Sequence, residues 1–488
     1  MRKLWCALLL VGTALPAAGQ GAAGPTLSLS DALSLAKANN PTYLQSTNGR
    51  RRADATLRAA NGQFLPSAST NFGAGYRQGK QQYFDGVAFG SNSATLSSDW
   101  GLTFSENVSL GAFNQRNAAR LNVMASETDV TAADQNLRFI VTSQYFLVLE
   151  DQAQAKLQDT LVALNQLQLD LANAKAGVGS ATSLDVRQAQ VALGTQQVAA
   201  LRARNTAAVD LLTLFQNIGI PPQLDVQLST IPPVNEPKFD LKQLVADAIQ
   251  ANPTLAGLIA RSQSAHQSYL GQRGQYSPTL SLSASFGGTS QQYTDNNYVV
   301  DQAQQSLASS QAQCFQQDSL RRGAGLSGIP TCSSLVLTPA QASQLRSQNQ
   351  AFPFKFASNP YTLSLGLNFP LFNGFVREQQ IESSAADQSD AEFNLKAQQL
   401  RLTATVQAAN ITLIADYQAL KLQEANSVAA RDALQLAEER YRVGLNSLVD
   451  LQQSRSAYET AEAGRINAVF EFHRAFAALE SAVGRPLR

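Results

Sequence analysis

Charged and aromatic residues are scarce in this sequence: they make up 15% and 7% of its 488 residues. The 37 Lys and Arg balance 36 Asp and Glu. The chain therefore offers neither a basic surface for nucleic acid nor an acidic tail. Its 2 histidines, His266 and His473, each stand alone in a helical pattern. Because no metal-ligand cluster, nucleophile elbow or phosphate-binding glycine loop occurs, we predict no catalytic residue, no metal site and no cofactor.

Long apolar runs are also missing, apart from a short one at the N-terminus. Residues 1–19 combine a basic start, an apolar run ending near Leu15, and small residues at Ala17 and Gly19. This pattern predicts a secretory signal peptide, and a membrane-anchoring helix is the weaker alternative because the run is too short to span. Cys6 lies inside this segment, which argues against a lipid-anchored N-terminus. Without another long apolar segment, the chain could enter a membrane only as a closed β-barrel.

Proline is absent between Pro66 and Pro221, and again between Pro370 and Pro486. After the strands at their starts, these windows are rich in Ala, Gln and Leu, which predicts uninterrupted helices. Helices this long must pack against neighbouring helices, because no globular core can cover them. The predicted long helices are 113–176, 183–217, 375–442 and 447–483.

Internal repetition divides the chain into two copies of one unit. Asn40-Pro41 returns as Asn252-Pro253, and Gly179 returns as Gly444. Gly179 and Gly444 are farther apart in the sequence than Asn40 and Asn252. The second copy therefore contains an insertion between these two motifs. Each copy is expected to open with one shorter helix. The predicted ranges are 20–220 for the first repeat, 221–239 for an extended proline-rich linker, 240–488 for the second repeat, and 30–61 and 240–274 for the opening helices.

Four segments alternate apolar residues with Ser, Thr, Asn or Gly. Strict alternation over about eleven residues is typical of a tilted transmembrane β-strand. A half-buried soluble sheet has the same local pattern, but the small polar residues and the aromatics near the strand ends favour a membrane. Four strands cannot close a barrel, whereas three copies would supply twelve. The predicted strands are 64–77, 100–111, 276–287 and 361–371.

The insertion in the second copy covers residues 288–360 and carries Cys314 and Cys332. It joins two predicted membrane strands on the side opposite the long helices, so we expect it to face the outside of the cell. In an exported protein this cysteine pair most simply forms one disulfide, and two free thiols are the alternative. A short helix is expected to begin at Thr338-Pro339.

Two matching turns interrupt the long helical patterns. In each, a glycine, Gly179 or Gly444, is followed after four residues by an aliphatic residue, an aspartate and a second aliphatic residue. Glycine before such a turn ends one helix and lets another begin. We predict that the turns form the inner tips of a channel whose opening is faced by Asp185 and Asp450. An N-cap role for either aspartate is the alternative, and the two roles are compatible.

Taken together, the two-copy organisation, the four strands and the turn motifs resemble the TolC family of outer-membrane efflux proteins. The residues that carry the resemblance are Tyr441-Arg-Val-Gly444, Val449-Asp450-Leu451, Gly179 with Leu184-Asp185-Val186, and Asn373-Gly374-Phe375. The resemblance covers nearly the whole mature chain. It implies a homotrimer with a twelve-stranded barrel in the bacterial outer membrane and a twelve-helix tunnel across the periplasm. It also implies a periplasmic adaptor and an inner-membrane pump as partners.

The same resemblance assigns a gate at the two turns. Asp185, Gln168 and Tyr441 stand at positions that link the turns when the channel is closed. Asn446 occupies a position where the family member compared has Arg, so a charged link is absent there. We therefore expect closure to depend on a Tyr441–Asp185 hydrogen bond and on packing. Asp450 would line the narrowest opening as a ring of three carboxylates, and Gln453 stands where a second acidic ring would be.

The function implied is that of an exit duct for a tripartite efflux or type I secretion system. A non-conducting coiled-coil structural or adhesin protein is the alternative outside the channel class. It explains the helices and the export but leaves the four alternating strands unexplained. Within the channel class, the tunnel sequence does not distinguish small-molecule efflux from peptide or protein secretion, since the pump selects the cargo.

Overall fold

The computed structural model describes residues 26–85, 87–91 and 93–487. The predicted signal peptide, with Cys6, lies outside this described part. The described chain forms ten α-helices and eight β-strands. Among these helices, none combines the length and the apolar character that crossing a membrane requires.

The elements are numbered in chain order. The helices are α1 (Leu29–Asn39), α2 (Pro41–Gly62), α3 (Leu110–Gly177), α4 (Ser183–Ile218), α5 (Leu241–Ala251), α6 (Pro253–Arg273), α7 (Tyr298–Gly323), α8 (Pro339–Asn349), α9 (Val376–Arg442) and α10 (Leu448–Val483). The strands are β1 (Thr26–Leu27), β2 (Ser67–Arg77), β3 (Lys80–Phe84), β4 (Val87–Ser91), β5 (Thr95–Val108), β6 (Gln227–Leu228), β7 (Thr279–Tyr293) and β8 (Ala357–Asn368).

The chain divides into two compact units. The first, here called the helical unit, comprises residues up to Asp54 together with Leu121–Ser264 and Gln388–Arg488. The second, here called the sheet unit, comprises Ala55–Arg120 and Ala265–Asp387. Long helices interrupted by one four-stranded sheet confirm the predicted mainly helical fold with four membrane-type strands per chain.

In the helical unit, each copy of the repeat builds a hydrophobic core. In the first copy, α1 supplies Ala32 and Ala36 to a core with side chains of α3 and α4. In the second copy, α5 and α6 pack similarly against α9 and α10. Residues seven apart on one helix share a face, so apolar side chains at this spacing form the seam that packs inward. The fully buried examples on α9 are Val406, Leu413 and Leu420.

The opening helix of each copy is broken, contrary to the prediction of single helices at 30–61 and 240–274. The break falls at Asn40 in the first copy and at Asn252 in the second, and both asparagines have extended backbone. The proline that follows each asparagine disfavours the helical conformation of the residue before it. The asparagine side chains then accept hydrogen bonds from Tyr43 N at 3.0 Å and Leu255 N at 3.1 Å. Each asparagine therefore ends one helix and caps the next.

The same asparagines meet the C-terminal glycines of the long helices. Asn40 donates to the carbonyl of Asn217 at 2.7 Å, and Asn252 donates to that of Ala482 at 3.2 Å. A Cβ on Gly219 would lie 2.7 Å from the Asn39 carbonyl oxygen. These close contacts explain why Asn-Pro and the later glycine recur in both copies.

The sheet unit is built on an antiparallel sheet with the order β2-β5-β7-β8. Three of the four strands extend beyond their predicted ranges at one end, which is the end not connected to a long helix. β5 begins at Thr95 and not at residue 100, β7 continues to Tyr293, and β8 begins at Ala357. Backbone pairing between adjacent strands continues beyond the residues that alternate between apolar and polar. The alternation in the sequence therefore identifies only part of each strand. β2 begins at Ser67, three residues later than predicted, and the hairpin of β3 and β4 was not predicted.

The two faces of this sheet differ in composition. In register, Phe72 lies opposite Trp100, Leu102 opposite Phe286, and Leu282 opposite Leu365. These residues share one face, here called the apolar face, because alternate residues of a strand point the same way. The other face carries small polar residues such as Ser105 with Ser283, and Ser364 opposite Ser283. One carboxylate, Glu106, falls on the apolar face two residues from the end of β5.

The insertion contains more helix than the sequence indicated. Besides α8, which begins at Pro339 as expected, it forms the 26-residue helix α7. Its sequence has no apolar stripe, so periodicity gave no signal for it. A disulfide joins Cys314 on α7 to Cys332, with Cα atoms 5.5 Å apart.

Candidate functional site at the two helix turns

Both predicted turn glycines have left-handed backbone. The φ angle is +76° at Gly179 and +84° at Gly444. Ser180 N then donates to the Lys175 carbonyl at 2.9 Å, and Leu445 N donates to that of Arg440 at 2.9 Å. A Cβ at either glycine would meet nothing within 4 Å, so the backbone conformation alone requires glycine. The two copies thus end α3 and α9 by the same device.

Asp185 and Asp450 occupy equivalent capping boxes. The Asp185 carboxylate accepts hydrogen bonds from Thr182 N and Oγ1, both at 2.8 Å. The Asp450 carboxylate accepts from Ser447 N at 3.1 Å and Oγ at 2.8 Å. These hydrogen bonds hold the pKa of both carboxyls below the usual value for aspartate. Each aspartate therefore stabilises the first turn of its helix as an anion.

Tyr441 is buried beside the second turn, near the end of α9. Its side chain packs in a cluster with Leu434, Leu448 and Leu451. Lys175 of α3 donates to the Tyr441 carbonyl at 2.7 Å, and its ammonium lies 4.0 Å from the centre of the Tyr441 ring. A lysine so placed gains both a charge-assisted hydrogen bond and a cation–π contact. Lys175 therefore joins the end of α3 to the end of α9, a link that no sequence pattern indicated.

Burial raises the pKa of the Tyr441 hydroxyl. The nearby amide of Gln168 opposes this shift in pKa, and the negative charge of Asp185 adds to it. Gln168 is itself 6% exposed. Gln168 and Tyr441 thus line the same cavity. The hydrogen bonds to the Asp185 carboxylate come from Thr182.

Arg455 is a second residue that sequence reasoning missed. It lies on α10 and is 7% exposed. Its guanidinium donates to Asn165 Oδ1 of α3 at 3.0 Å and lies 3.7 Å from the Glu438 carboxylate of α9. Burial lowers the pKa of Arg455, and Glu438 partly offsets the shift. One buried cation therefore links α10 to both α3 and α9 near the second turn.

A cavity of about 320 Å³ adjoins these residues. Its lining mixes apolar side chains of α3 with the polar residues of the junction. The lining residues include Leu164, Leu167, Gln168, Leu171, Tyr441, Leu451 and Arg455. Gln168 Nε2 and Arg455 Nε are buried without a hydrogen-bond partner in the described chain. Packing where α3 meets α9 and α10 is thus incomplete.

The remaining predicted residues are placed as follows. Asn446 is half-buried between Gly444 and the cap residue Ser447, and Gln453 is exposed one turn after Asp450. No group of three or more His, Cys, Asp or Glu side chains suited to a metal ion occurs in the described ranges. The site therefore consists of hydrogen-bonding and charged residues that join helices.

An amphipathic four-stranded sheet and paired long helices ending in capped turns define a TolC-like outer-membrane channel fold. The family model described as "Outer membrane efflux protein" matches residues 32–219 and 299–485. The chain therefore belongs to the outer membrane efflux protein family. It is an outer-membrane channel protein of efflux systems that extends into the periplasm.

Solved channel structures share this fold at low sequence identity. The outer-membrane channel OprN superimposes with a TM-score of 0.71 at 16% identity, covering 94% of this chain and 90% of OprN. The CmeC outer membrane channel of Campylobacter jejuni gives 0.71 at 14% identity, covering 93% and 85%. CusC gives 0.71 at 14% identity, covering 97% and 95%. The likeness extends over nearly the whole chain.

Proposed function

We propose that three copies of this chain assemble into one continuous duct. The observation that carries the proposal is the four-stranded sheet, whose edge strands β2 and β8 each lack a partner on one side among the described strands. Unpaired edges are not tolerated in a bilayer core, where no water can satisfy backbone groups. The edge strands run in opposite directions, so β8 of one copy can pair antiparallel with β2 of the next. Three copies then close twelve strands around a pore.

The two faces of β8 provide the test. Leu363 is exposed on the apolar face, level with Phe104 in the middle part of β5, and its neighbour Ser364 lies on the polar face. A Lys on the lipid side of a barrel strand costs about 2–4 kcal/mol near the midplane, whereas the water-filled side tolerates it. We expect Leu363→Lys to abolish insertion, and Ser364→Lys to yield trimers that conduct in planar bilayers. Equal effects of the two variants, or a purified wild-type protein that does not conduct, would favour a non-conducting coiled-coil protein.

The gate lies at the two turns in this proposal. Closure brings the α9–α10 pair against α3 through Lys175 with Tyr441 and through Arg455 with Asn165. Asp185 and Gln168 shift the pKa of the Tyr441 hydroxyl in opposite directions. Asn446 is uncharged at a position where an arginine would form a charged link. Asp450 forms a ring of three carboxylates at the narrowest point, followed by a ring of uncharged Gln453. A single carboxylate ring favours cations.

The partners in this proposal are a periplasmic adaptor and an inner-membrane pump. The exposed aliphatic residues of the turns form an apolar surface suited to an adaptor. They are Val178, Leu184, Val443, Leu445 and Val449. The duct serves efflux or type I secretion, and the cargo is set by the pump. Cross-linking in cells followed by identification of the captured pump tests this, with Leu445→Asp expected to abolish capture and Leu201→Asp, exposed on α4, expected to preserve it.

A further inference from the structure

A short segment between α8 and β8 lies against the apolar face of the sheet. Phe356 contacts Phe72 and Trp100 edge to face, with ring centres 6.1 and 6.5 Å apart. Phe354 stacks on Phe72 at 6.3 Å, and Ser98 Oγ donates to the Pro353 carbonyl at 2.5 Å. The segment 352–356, here called the aromatic strap, is therefore held on the face that carries the apolar side chains of β2 and β5.

Glycine at position 288 permits this close approach. A Cβ on Gly288 would lie 2.8 Å from Trp100 Nε1 and 3.0 Å from Phe356 Cβ. Gly288 is paired with Trp100 in the sheet, so the indole and the strap together occupy the space above it. The sheet is thus shaped to receive the strap at this level.

The height of the strap along the axis of the proposed barrel follows from the strand geometry. Trp100 is eight residues from Val108, the end of β5 next to α3. At about 3.4 Å per residue and a tilt of about 40°, this separation gives a height of roughly 21 Å. The apolar band of an outer-membrane barrel is about 25 Å tall. The strap therefore lies near the edge of the band farther from the helices, which is the edge at the outer leaflet.

The exposed side of the strap has the composition of a membrane interface. Phe354 is 74% exposed although it stacks on Phe72, and Lys355 beside it is also exposed. Aromatic rings are enriched at the boundary between headgroups and acyl chains, and a neighbouring lysine can extend its ammonium to lipid phosphates. Water would leave this aromatic surface uncovered, whereas a bilayer at this level would cover it.

We propose that the aromatic strap anchors the sheet in the outer leaflet, with Phe354 at the boundary between lipid headgroups and acyl chains. The occupant of this surface is lipid. The inference rests on the proposed function, because it requires the apolar face of the sheet to meet the bilayer. It adds a lipid contact made by a segment that lies outside the strands.

Tryptophan probes in the full chain test the proposal. Trp100, the one tryptophan outside the predicted signal peptide, is replaced by Phe to keep a ring against Phe356, and one Trp is introduced at Phe354, at Leu363 or at Val178. Leu363 lies on the apolar face nearer the middle of the band, and Val178 is an exposed turn residue. Purified protein is reconstituted into vesicles of phosphatidylcholine brominated either near the headgroup or near the methyl end of the acyl chain.

We expect F354W to be quenched several-fold more by bromine near the headgroup, L363W more by deep bromine, and V178W by neither. Quenching of L363W without quenching of F354W would overturn the strap proposal alone. Deep quenching of F354W equal to that of L363W would also overturn it. Absence of quenching at L363W would show that the sheet is outside the bilayer, and would overturn the proposed function as well.

Discussion

The two turns have the same sequence motif and the same local backbone structure, but they differ in how they are packed. Both have a left-handed glycine and a capping box closed by an aspartate. After the first turn, burial on α4 begins only at Ala189. After the second, Leu448, Leu451 and Arg455 of α10 are already buried. Capping therefore sets the shape of both turns, and tertiary packing holds the second turn in place.

In the proposed gate, this difference determines which contacts must break when the channel opens. The second turn can move only if Tyr441, Leu451 and Arg455 separate from α3 and its neighbours. The first turn is less tightly packed, and its main link to the second is Lys175. Variants at the polar residues of this junction should therefore weaken the closed state, most strongly where a buried charged hydrogen bond is lost.

Arg455→Met should have the largest effect among single variants. It removes a charged hydrogen bond to Asn165, worth about 2 kcal/mol, which corresponds to a roughly 30-fold loss in the ratio of closed to open channels. Methionine retains much of the apolar volume, so the fold should survive. Single-channel recordings measure the open probability. The exposed Arg442 lines the same cavity, and Arg442→Met should leave gating unchanged; equal effects of both variants would refute a specific role for Arg455.

The double variant Tyr441→Phe with Asp185→Ala should raise conductance by a smaller factor. A hydrogen bond that the Tyr441 hydroxyl makes only in the closed state would contribute about 1 kcal/mol, or roughly fivefold in the gating equilibrium. Thr182→Ala serves as the control, because it removes the cap of α4 but keeps the Asp185 charge. If the double variant conducts like the wild type in bilayers, the predicted Tyr441–Asp185 contribution is wrong.

Removing the caps one at a time sharpens the comparison of the turns. Thr182→Ala and Ser447→Ala should each cost about 1 kcal/mol of local helix stability. Faster hydrogen exchange after Thr182→Ala should stay within the first turn of α4. After Ser447→Ala it should spread to the packed residues from Tyr441 to Arg455, because their burial depends on the position of that turn. The same spread for both variants would contradict the difference in packing.

The smallest expected change concerns ion selectivity. Asp450→Asn should lower cation selectivity, measured as a shift in reversal potential, because it neutralises the proposed carboxylate ring. Hydrogen bonds from Ser447 hold the pKa of Asp450 below the usual value for aspartate, so its charge is present above the shifted pKa and is lost as the pH falls through it. Wild-type selectivity should therefore fall only at a pH lower than that at which an ordinary aspartate loses its charge. Unchanged reversal potentials in Asp450→Asn would rule out this role, and Gln453→Glu should increase selectivity.

Sequence reasoning recovered the elements that local patterns specify. Alternation revealed the four strands of the sheet, proline-free windows revealed the long helices, and repeated Gly and Asp revealed both turns. It failed at α7, whose sequence has no apolar face, and at the helix breaks before Pro41 and Pro253. At the site, Lys175 and Arg455 look like ordinary solvated residues of a helix. Their roles arise from the packing of α3 against α9 and α10, which no local pattern encodes.

The most direct test of the gate is the single-channel conductance of Lys175→Ala combined with Arg455→Met in the reconstituted trimer. Lys175→Ala removes the hydrogen bond from α3 to the Tyr441 carbonyl, and Arg455→Met removes the hydrogen bond from α10 to Asn165. We expect a conductance and an open probability well above those of the wild type, and above those of either single variant. Wild-type values from a correctly assembled trimer would contradict this expectation.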